Sequence, residues 1–240
     1  MTDLHTHILP GMDDGAKNVE ESIKLLQAQM DQGVTSVALT SHFYRDRENI
    51  NSFLKRRESA WNRLQDAIAE QPESFREGLP ELSLGAEVAF SPNIDTWDSL
   101  DRLCYRDTKY LLLELPFTPW NDRIFSQIFS IMDRNGIVPV IAHIDRYLKH
   151  QKKGDIQELL NLNMPVQVSA RALLHFSTRG SSLRILRSCT TPLLISDCHS
   201  STSRPVNIRE GMEVVGKKLG SRFARTLERS CDGLLNEAGE

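Results

Sequence analysis

Seven short runs rich in branched and apolar residues are spaced along this chain, and six of them close on a histidine, an aspartate or a glutamate. The runs begin at Asp3, Val34, Leu82, Tyr110, Ile137, Pro165 and Thr191. Between several of them the apolar period changes from two to about 3.6, the mark of an amphipathic helix. Val19, Ile23, Leu26 and Met30 form one such stripe, with Asn18 placed to cap it and Gly33 to stop it. Ile50 to Ile68 forms a second, ending near Pro72, and Ile124 to Met132 a third, stopped at Asn135-Gly136. Two more helices are expected at about 207–219 and 221–235. Strand, helix, strand in alternation is the pattern of parallel βαβ units, so the expected fold is α/β, a distorted seven-stranded (β/α) barrel.

In such barrels chemistry gathers at the C-terminal ends of the strands. His5, His7, His42, Glu87, Glu114, His143, Asp197 and His199 all lie at or beside those ends, on six different strands. His5 and His7 are two apart, so an extended strand turns both imidazoles to one side, a geometry suited to a metal. Glu87 sits on the small-residue face of its strand, with Ser83 and Gly85, and Glu114 interrupts the apolar run Tyr110 to Leu115. A carboxylate inside an apolar strand costs several kcal/mol unless it is paired or bound to a metal.

The chain has 240 residues, 40% of them hydrophobic, enough for one domain spanning 1–240. A net charge of −3 gives no reason to expect nucleic acid as a partner. Lys55-Arg56-Arg57 and the basic residues from Lys149 to Lys153 read as solvated faces. Cys104, Cys189, Cys198 and Cys231 form no CxxC pair, which fits a reducing compartment. The first residues do not form a signal sequence, and no apolar run reaches the ~20 residues that span a bilayer, so a cytoplasmic protein without membrane insertion is expected.

Taken together, DLHTHILPGMDDGA at 3–16, TSHF at 40–43, GAE at 85–87, LLLELPF at 111–117, PVIAHIDRY at 139–147 and SDCHS at 196–200 resemble the polymerase and histidinol phosphatase (PHP) superfamily of metal-dependent phosphoesterases. Within it the chain is similar to the bacterial manganese-dependent tyrosine-protein phosphatases of capsule and exopolysaccharide operons. The resemblance implies three divalent ions, manganese in the first place and iron or zinc as alternatives. It gives His5, His7, Glu87 and Asp197 to the first ion. Glu87 would bridge to the second, held with Glu114 and His143, and Asp14, His42 and His199 would hold the third, with Asp13 open as a substitute for Asp14. Arg146 and Arg204 would be the catalytic arginines. Asp145 departs from the glutamate usual in the family, and Cys198 stands between the last two ligands.

Charge counting supports such a site. Asp14, Glu87, Glu114 and Asp197 bring four negative charges together, and neighbours ~4 Å apart repel by several kcal/mol even at an effective dielectric near 20. Three divalent cations reverse that sign and leave a surplus for a phosphate ester. The expected reaction is in-line attack of metal-bound hydroxide on a phosphomonoester, with the arginines stabilising the equatorial oxygens. By resemblance the substrate would be a tyrosine-phosphorylated protein, a membrane-bound tyrosine autokinase governing polysaccharide export. Phe43, Tyr44, Phe117, Trp120 and Tyr147 follow the expected ligands or Arg146 and are candidates for an aromatic wall around the phenol. Three rivals stand beside this reading: a histidinol phosphatase with the same metals, a non-enzymatic metal or kinase-binding module, and a cysteine-dependent phosphatase using Cys198 and Arg204 at the C-x5-R spacing.

Overall fold

Asn18 opens the first helix as expected, its side chain accepting the backbone N–H of Glu21 at 2.9 Å. The computed structural model describes residues 1–236; residues 237–240 of the expected domain lie outside the described residues. Along the chain run β1 (Thr2–Thr6), α1 (Val19–Asp31), β2 (Ser36–Leu39), β3 (His42–Phe43), α2 (Ile50–Ala69), α3 (Glu73–Glu77), β4 (Glu81–Leu84), β5 (Glu87–Ala89) and β6 (Tyr110–Glu114). There follow α4 (Asp122–Asn135), β7 (Val138–Ile141), α5 (Lys153–Asn161), β8 (Pro165–Ser169), α6 (Ala170–Leu174), α7 (Phe176–Ser188), β9 (Thr191–Ile195), α8 (Ile208–Leu219) and α9 (Ser221–Asn236). Gly136 ends α4 in the left-handed conformation, as the Asn135-Gly136 pair predicts.

The strands are parallel, and the α/β class holds. The seven-stranded barrel does not. Among the described residues nine strands form two sheets, β1-β2-β4 and β3-β5-β6-β7-β8-β9, with no closed barrel. The difference arises because two expected strands are each cut in two, at Thr40-Ser41 and at Gly85-Ala86, and the chain changes sheet at both cuts. Local chemistry explains the second cut. Arg57 donates to the carbonyl of Gly85 at 2.8 Å, and a Cβ on Gly85 would sit 3.1 Å from the Tyr105 ring and 3.3 Å from the Thr40 methyl. Arg57 is therefore a structural residue and no member of a solvated face.

Between the outer edges, Asp197 N donates to His5 O at 3.0 Å and His7 N to Cys198 O at 2.9 Å, so the segment after β9 lies against β1. One buried cluster draws Leu4, Ala38, Leu112, Val140, Leu193 and Ile195 from the strands and is closed by Cys231 and Leu234 of α9. A larger one joins strands to helices through residues such as Leu25, Phe53, Ile128 and Leu186. The sequence pattern does not single out α5, α6 or α7. Their buried contacts are few and interrupted by serines and basic residues, which dilute the helical period. No helix among the described residues is long and apolar enough to cross a membrane.

Candidate metal centre

Register brings the strand-end residues into one place. Pairing of β3 with β5 sets His42 opposite Glu87, and pairing of β5 with β6 sets Ala89 opposite Glu114. His5 lies in β1 with His7 just beyond it, while His143, Asp197 and His199 follow β7 and β9 within a few residues. Ligand-type atoms of His5, His7 and Glu87 lie within 4.8 Å of one another, as do those of His42, Glu87 and Glu114, and those of His7, Asp14, His42 and His199.

Glu87 is the hub. Its Oε2 lies 3.1 Å from His5 Nε2, 3.2 Å from His7 Nε2 and 2.9 Å from His42 Nδ1, and its Oε1 lies 2.8 Å from His143 Nε2. Glu114 Oε1 is 3.5 Å from the same His143 nitrogen. The far sides of two imidazoles are already committed. Tyr105 donates its hydroxyl proton to Leu4 O at 2.9 Å and so accepts from Gln167 Nε2 at 3.3 Å, which turns Gln167 Oε1 toward His5 Nδ1 at 2.8 Å. His7 Nδ1 donates to Asp13 Oδ2 at 2.8 Å. The nitrogens left over, His5 Nε2 and His7 Nε2, face each other at 3.2 Å beside Glu87 Oε2. Lone pairs converge there unless a proton or a cation lies among them.

Several further atoms make the same demand. Glu87 Oε2, His42 Nδ1 and His199 Nε2 are buried without an aligned hydrogen bond. Burial pushes the Glu87 carboxyl up, yet His5 and His42 hold it well below the usual range. Burial lowers His42, but Glu87 and Asp14 outweigh it and push the imidazole up to about 10. His199, by contrast, falls to about 2 through burial and the neighbouring His7 and Arg204, which leaves a neutral imidazole with a lone pair to offer. Imidazoles and carboxylates without thiolate form a donor set that fits divalent manganese, iron or zinc.

The choice between Asp13 and Asp14 becomes legible in the loop. Asp13 accepts from His7 Nδ1, from Gly15 N at 3.0 Å and from His42 N at 2.8 Å. It orients the His7 imidazole and ties the backbone of His42 to the same loop. Asp14 instead offers Oδ1 at 3.4 Å from both His42 Nε2 and His199 Nε2 and is 68% exposed. Gly15 lets the loop come this close, since a Cβ there would stand 2.2 Å from His7 O.

Asp197 has a second set of neighbours. Its Oδ1 is 3.8 Å from His5 Nε2 and 3.7 Å from His7 Nε2, while Arg146 pairs with its Oδ2 and Arg204 with its Oδ1 at 2.6 Å. Both arginines line a cleft of about 400 Å³ that reaches Asp197. A second cleft of about 370 Å³, lined by Asp14, His42, Tyr44 and Arg47, reaches the centre from the loop. His143 and Asp197 carry positive φ, +24° and +54°, a strain of ~1–3 kcal/mol each.

The aromatic wall is thinner than the sequence implies. Phe43 is fully buried against Phe53 and Trp97; Trp120 is buried and donates to Pro116 O. Tyr147 is buried as well, its hydroxyl accepting from Leu115 N at 2.9 Å beneath His143. Tyr44, 5.3 Å from the His42 ring, and Phe117, 42% exposed, remain at the two clefts. Sequence reading missed Asp13 as an orienting residue, and Gln167 altogether. A glutamine inside the fully buried run Pro165–Ser169 is the same signal that picks out Glu87.

Cys198 is fully buried, with Sγ 3.7 Å from Gln29 Nε2, and burial beside Asp3 pushes its thiol up to about 12. Arg204 faces Asp197 and not the sulfur. A thiolate nucleophile is not available here. Cys198→Ser is accordingly expected to keep at least about half of kcat, and the native thiol to resist iodoacetamide at pH 8 until the protein unfolds. Rapid alkylation that stops turnover would restore the cysteine mechanism.

A family model described as capsular polysaccharide synthesis, CpsB/CapC, matches residues 1–233. The tyrosine-protein phosphatase YwqE of Bacillus subtilis (strain 168) is 28% identical over 242 residues, covering 98% of this chain and 91% of that protein. The tyrosine-protein phosphatase CpsB of Streptococcus pneumoniae is 28% identical over 244 residues, covering 95% and 94%. In a structural study of YwqE and CpsB, described as unique metal-dependent tyrosine phosphatases, one chain superposes with a TM-score of 0.82 at 25% identity, over 100% of this chain and 96% of that one. These likenesses agree with the resemblance carried by the motifs.

Proposed function

Because the chain belongs to the capsular polysaccharide synthesis CpsB/CapC family, we propose that it is a divalent-metal-dependent protein-tyrosine phosphatase. One observation carries the reading: the unprotonated faces of His5 and His7 meet at Glu87 Oε2, with His42 and His143 closing round the same carboxylate. We assign His5, His7, Glu87 and Asp197 to a first ion, Glu87, Glu114 and His143 to a second, and Asp14, His42 and His199 to a third, with manganese the preferred metal. Such ions acidify water and neutralise a phosphate ester. Gln167 and Asp13 keep the imidazoles in the ligating tautomer, and this second layer of contacts typically accounts for 10–100-fold in metal affinity.

The chain's own part in turnover lies in placing the ester. Arg146 and Arg204 reach from Asp197 into the cleft and offer planar N–H donors to the phosphoryl oxygens, whose charge grows as the ester bond breaks. Phe117 lines the cleft of the two arginines and gives a phenol ring a face to pack on, while Tyr44 lines the second cleft. A tyrosine phenolate is a fair leaving group and needs no dedicated acid. The relatives' activity supports phosphotyrosine on a protein as the substrate. We infer a cytoplasmic site of action and a membrane-bound tyrosine autokinase as the partner.

The test compares kcat/KM on matched phosphotyrosine and phosphoserine peptides and on histidinol phosphate, before and after metal removal. The phosphotyrosine peptide is expected to lead by about tenfold or more, and chelation to stop all hydrolysis until manganese is restored. Equal rates on the two peptides, or a higher rate on histidinol phosphate, would overturn the tyrosine assignment.

A further inference from the structure

The cleft that reaches Asp197 holds more positive charge than one phosphoryl group requires. Beyond Arg146 and Arg204 it is lined by Lys149, Arg171, His150 and His175. Its two carboxylates are already engaged: Asp145 Oδ1 accepts from Ser169 N at 2.8 Å, and Asp197 is held by the two arginines. Among the described residues no carboxylate pairs with Lys149 or Arg171. These cations are set by the fold. Lys149 follows Arg146 by three residues on the 3-10 turn Ile144–Lys149, a spacing that stacks both side chains on one face. Arg171 belongs to α6, which leaves β8 directly at the cleft.

Two further observations point to an extended ligand. Asn207 Oδ1, on the lining, is buried without a hydrogen-bond partner. Phe117 lines the cleft, and Phe176, the residue after His175, is 92% exposed. The chain as a whole has a net charge of −3, so this concentration of cations is local. Basic groups without carboxylate partners, a buried polar atom without a partner and the exposed Phe117 ring, in a cleft that begins at the catalytic arginines, suit a polypeptide of opposite charge.

We propose that this cleft docks acidic residues flanking the phosphotyrosine, read chiefly by Lys149 and Arg171. The inference rests on the phosphatase reading and narrows its substrate to phosphotyrosines set among carboxylates. Two exposed ion pairs make a difference of at most about tenfold in kcat/KM, carried mainly by KM, and salt screens them.

The experiment uses phosphotyrosine peptides with Glu, Ala or Lys flanks, with p-nitrophenyl phosphate as a reference that lacks flanks. The Glu peptide is expected to exceed the Ala peptide by about tenfold, and the gap to shrink in 0.5 M NaCl. Lys149→Glu with Arg171→Glu should lower the rate on the Glu peptide by about tenfold more than any change on the reference. Fluorescence anisotropy of an unphosphorylated Glu-rich peptide, against its Lys-rich counterpart, reads docking without chemistry. Charge-selective binding lost in the double variant supports the site even if phosphotyrosine turnover fails. Equal binding of the two peptides, or equal kcat/KM for Glu and Lys flanks, overturns it whatever the turnover.

Discussion

Replacing Glu87 with alanine is expected to lower kcat by ~10³ or more while the fold survives. The carboxylate is the point at which the three proposed ligand sets meet or adjoin, with four imidazole nitrogens within 3.2 Å of its two oxygens. Without it, no group would replace the charge proposed to be shared between neighbouring ions. Stability should suffer less than activity, because the change also removes a buried charge whose burial is itself costly. Three measurements separate these effects: turnover of phosphotyrosine peptide, bound metal by mass spectrometry, and melting temperature with and without manganese. In the wild type, manganese should raise the melting temperature, since a ligand that binds only the folded state stabilises it. In Glu87→Ala that gain should shrink along with the metal content. Glu87→Gln keeps the shape and loses the charge, so it should resemble the alanine variant. A Glu87→Ala protein that turns over near the wild-type rate would end the metal reading of this site.

Arg146→Ala is expected to cost about 10²–10³ in kcat, the range seen when one preorganised donor to a developing oxyanion is deleted. Arg146 contacts Asp197 and lines the cleft, so its guanidinium stands between a candidate ligand and the place where an ester would enter. Arg146→Lys should recover little of the loss, because an ammonium cannot reproduce the planar fork that meets two oxygens at once. Metal content distinguishes the proposed role from support of Asp197 alone. Bound ions should stay at the wild-type level in both variants while kcat falls. A proportional loss of metal would instead make Arg146 a positioning residue for Asp197, and unchanged kcat would remove it from the mechanism.

How far the sequence carried the argument can be judged at particular residues. His5 and His7 were legible because a period of two has few meanings near a strand end, and Glu87 and Glu114 because a carboxylate in an apolar run demands a partner. The cut strands were not legible. Gly85-Ala86 reads as the middle of one strand until Arg57, 28 residues earlier, takes the Gly85 carbonyl. Asp13 and Asp14 carry the same group one residue apart, and only the fold shows one tied to the His7 imidazole and the His42 backbone and the other turned to the cleft. The aromatic residues misled for a related reason: adjacency to a ligand in sequence does not fix which way a side chain points, and Phe43 and Tyr147 turn inward. Lys149 was read as solvated, which holds for its exposure, but not for its place beside Arg146.

The hydrogen bonds from Asp197 N to His5 O and from His7 N to Cys198 O join segments about 190 positions apart in the chain. Viewed as a folding problem, they are the loop closures of highest contact order in the site, and such contacts form late because their entropy cost falls due before neighbouring contacts reward it. A growing chain emerges N-terminal end first. It presents His5, His7 and Glu87 long before Asp197 and His199 exist, so the early candidate ligands wait in an unfinished cradle. The centre reaches its full ligand set only after β9 has docked beside β1. In time-resolved refolding, recovery of tight metal binding should therefore track the slowest structural phase and lag behind the gain of helical signal.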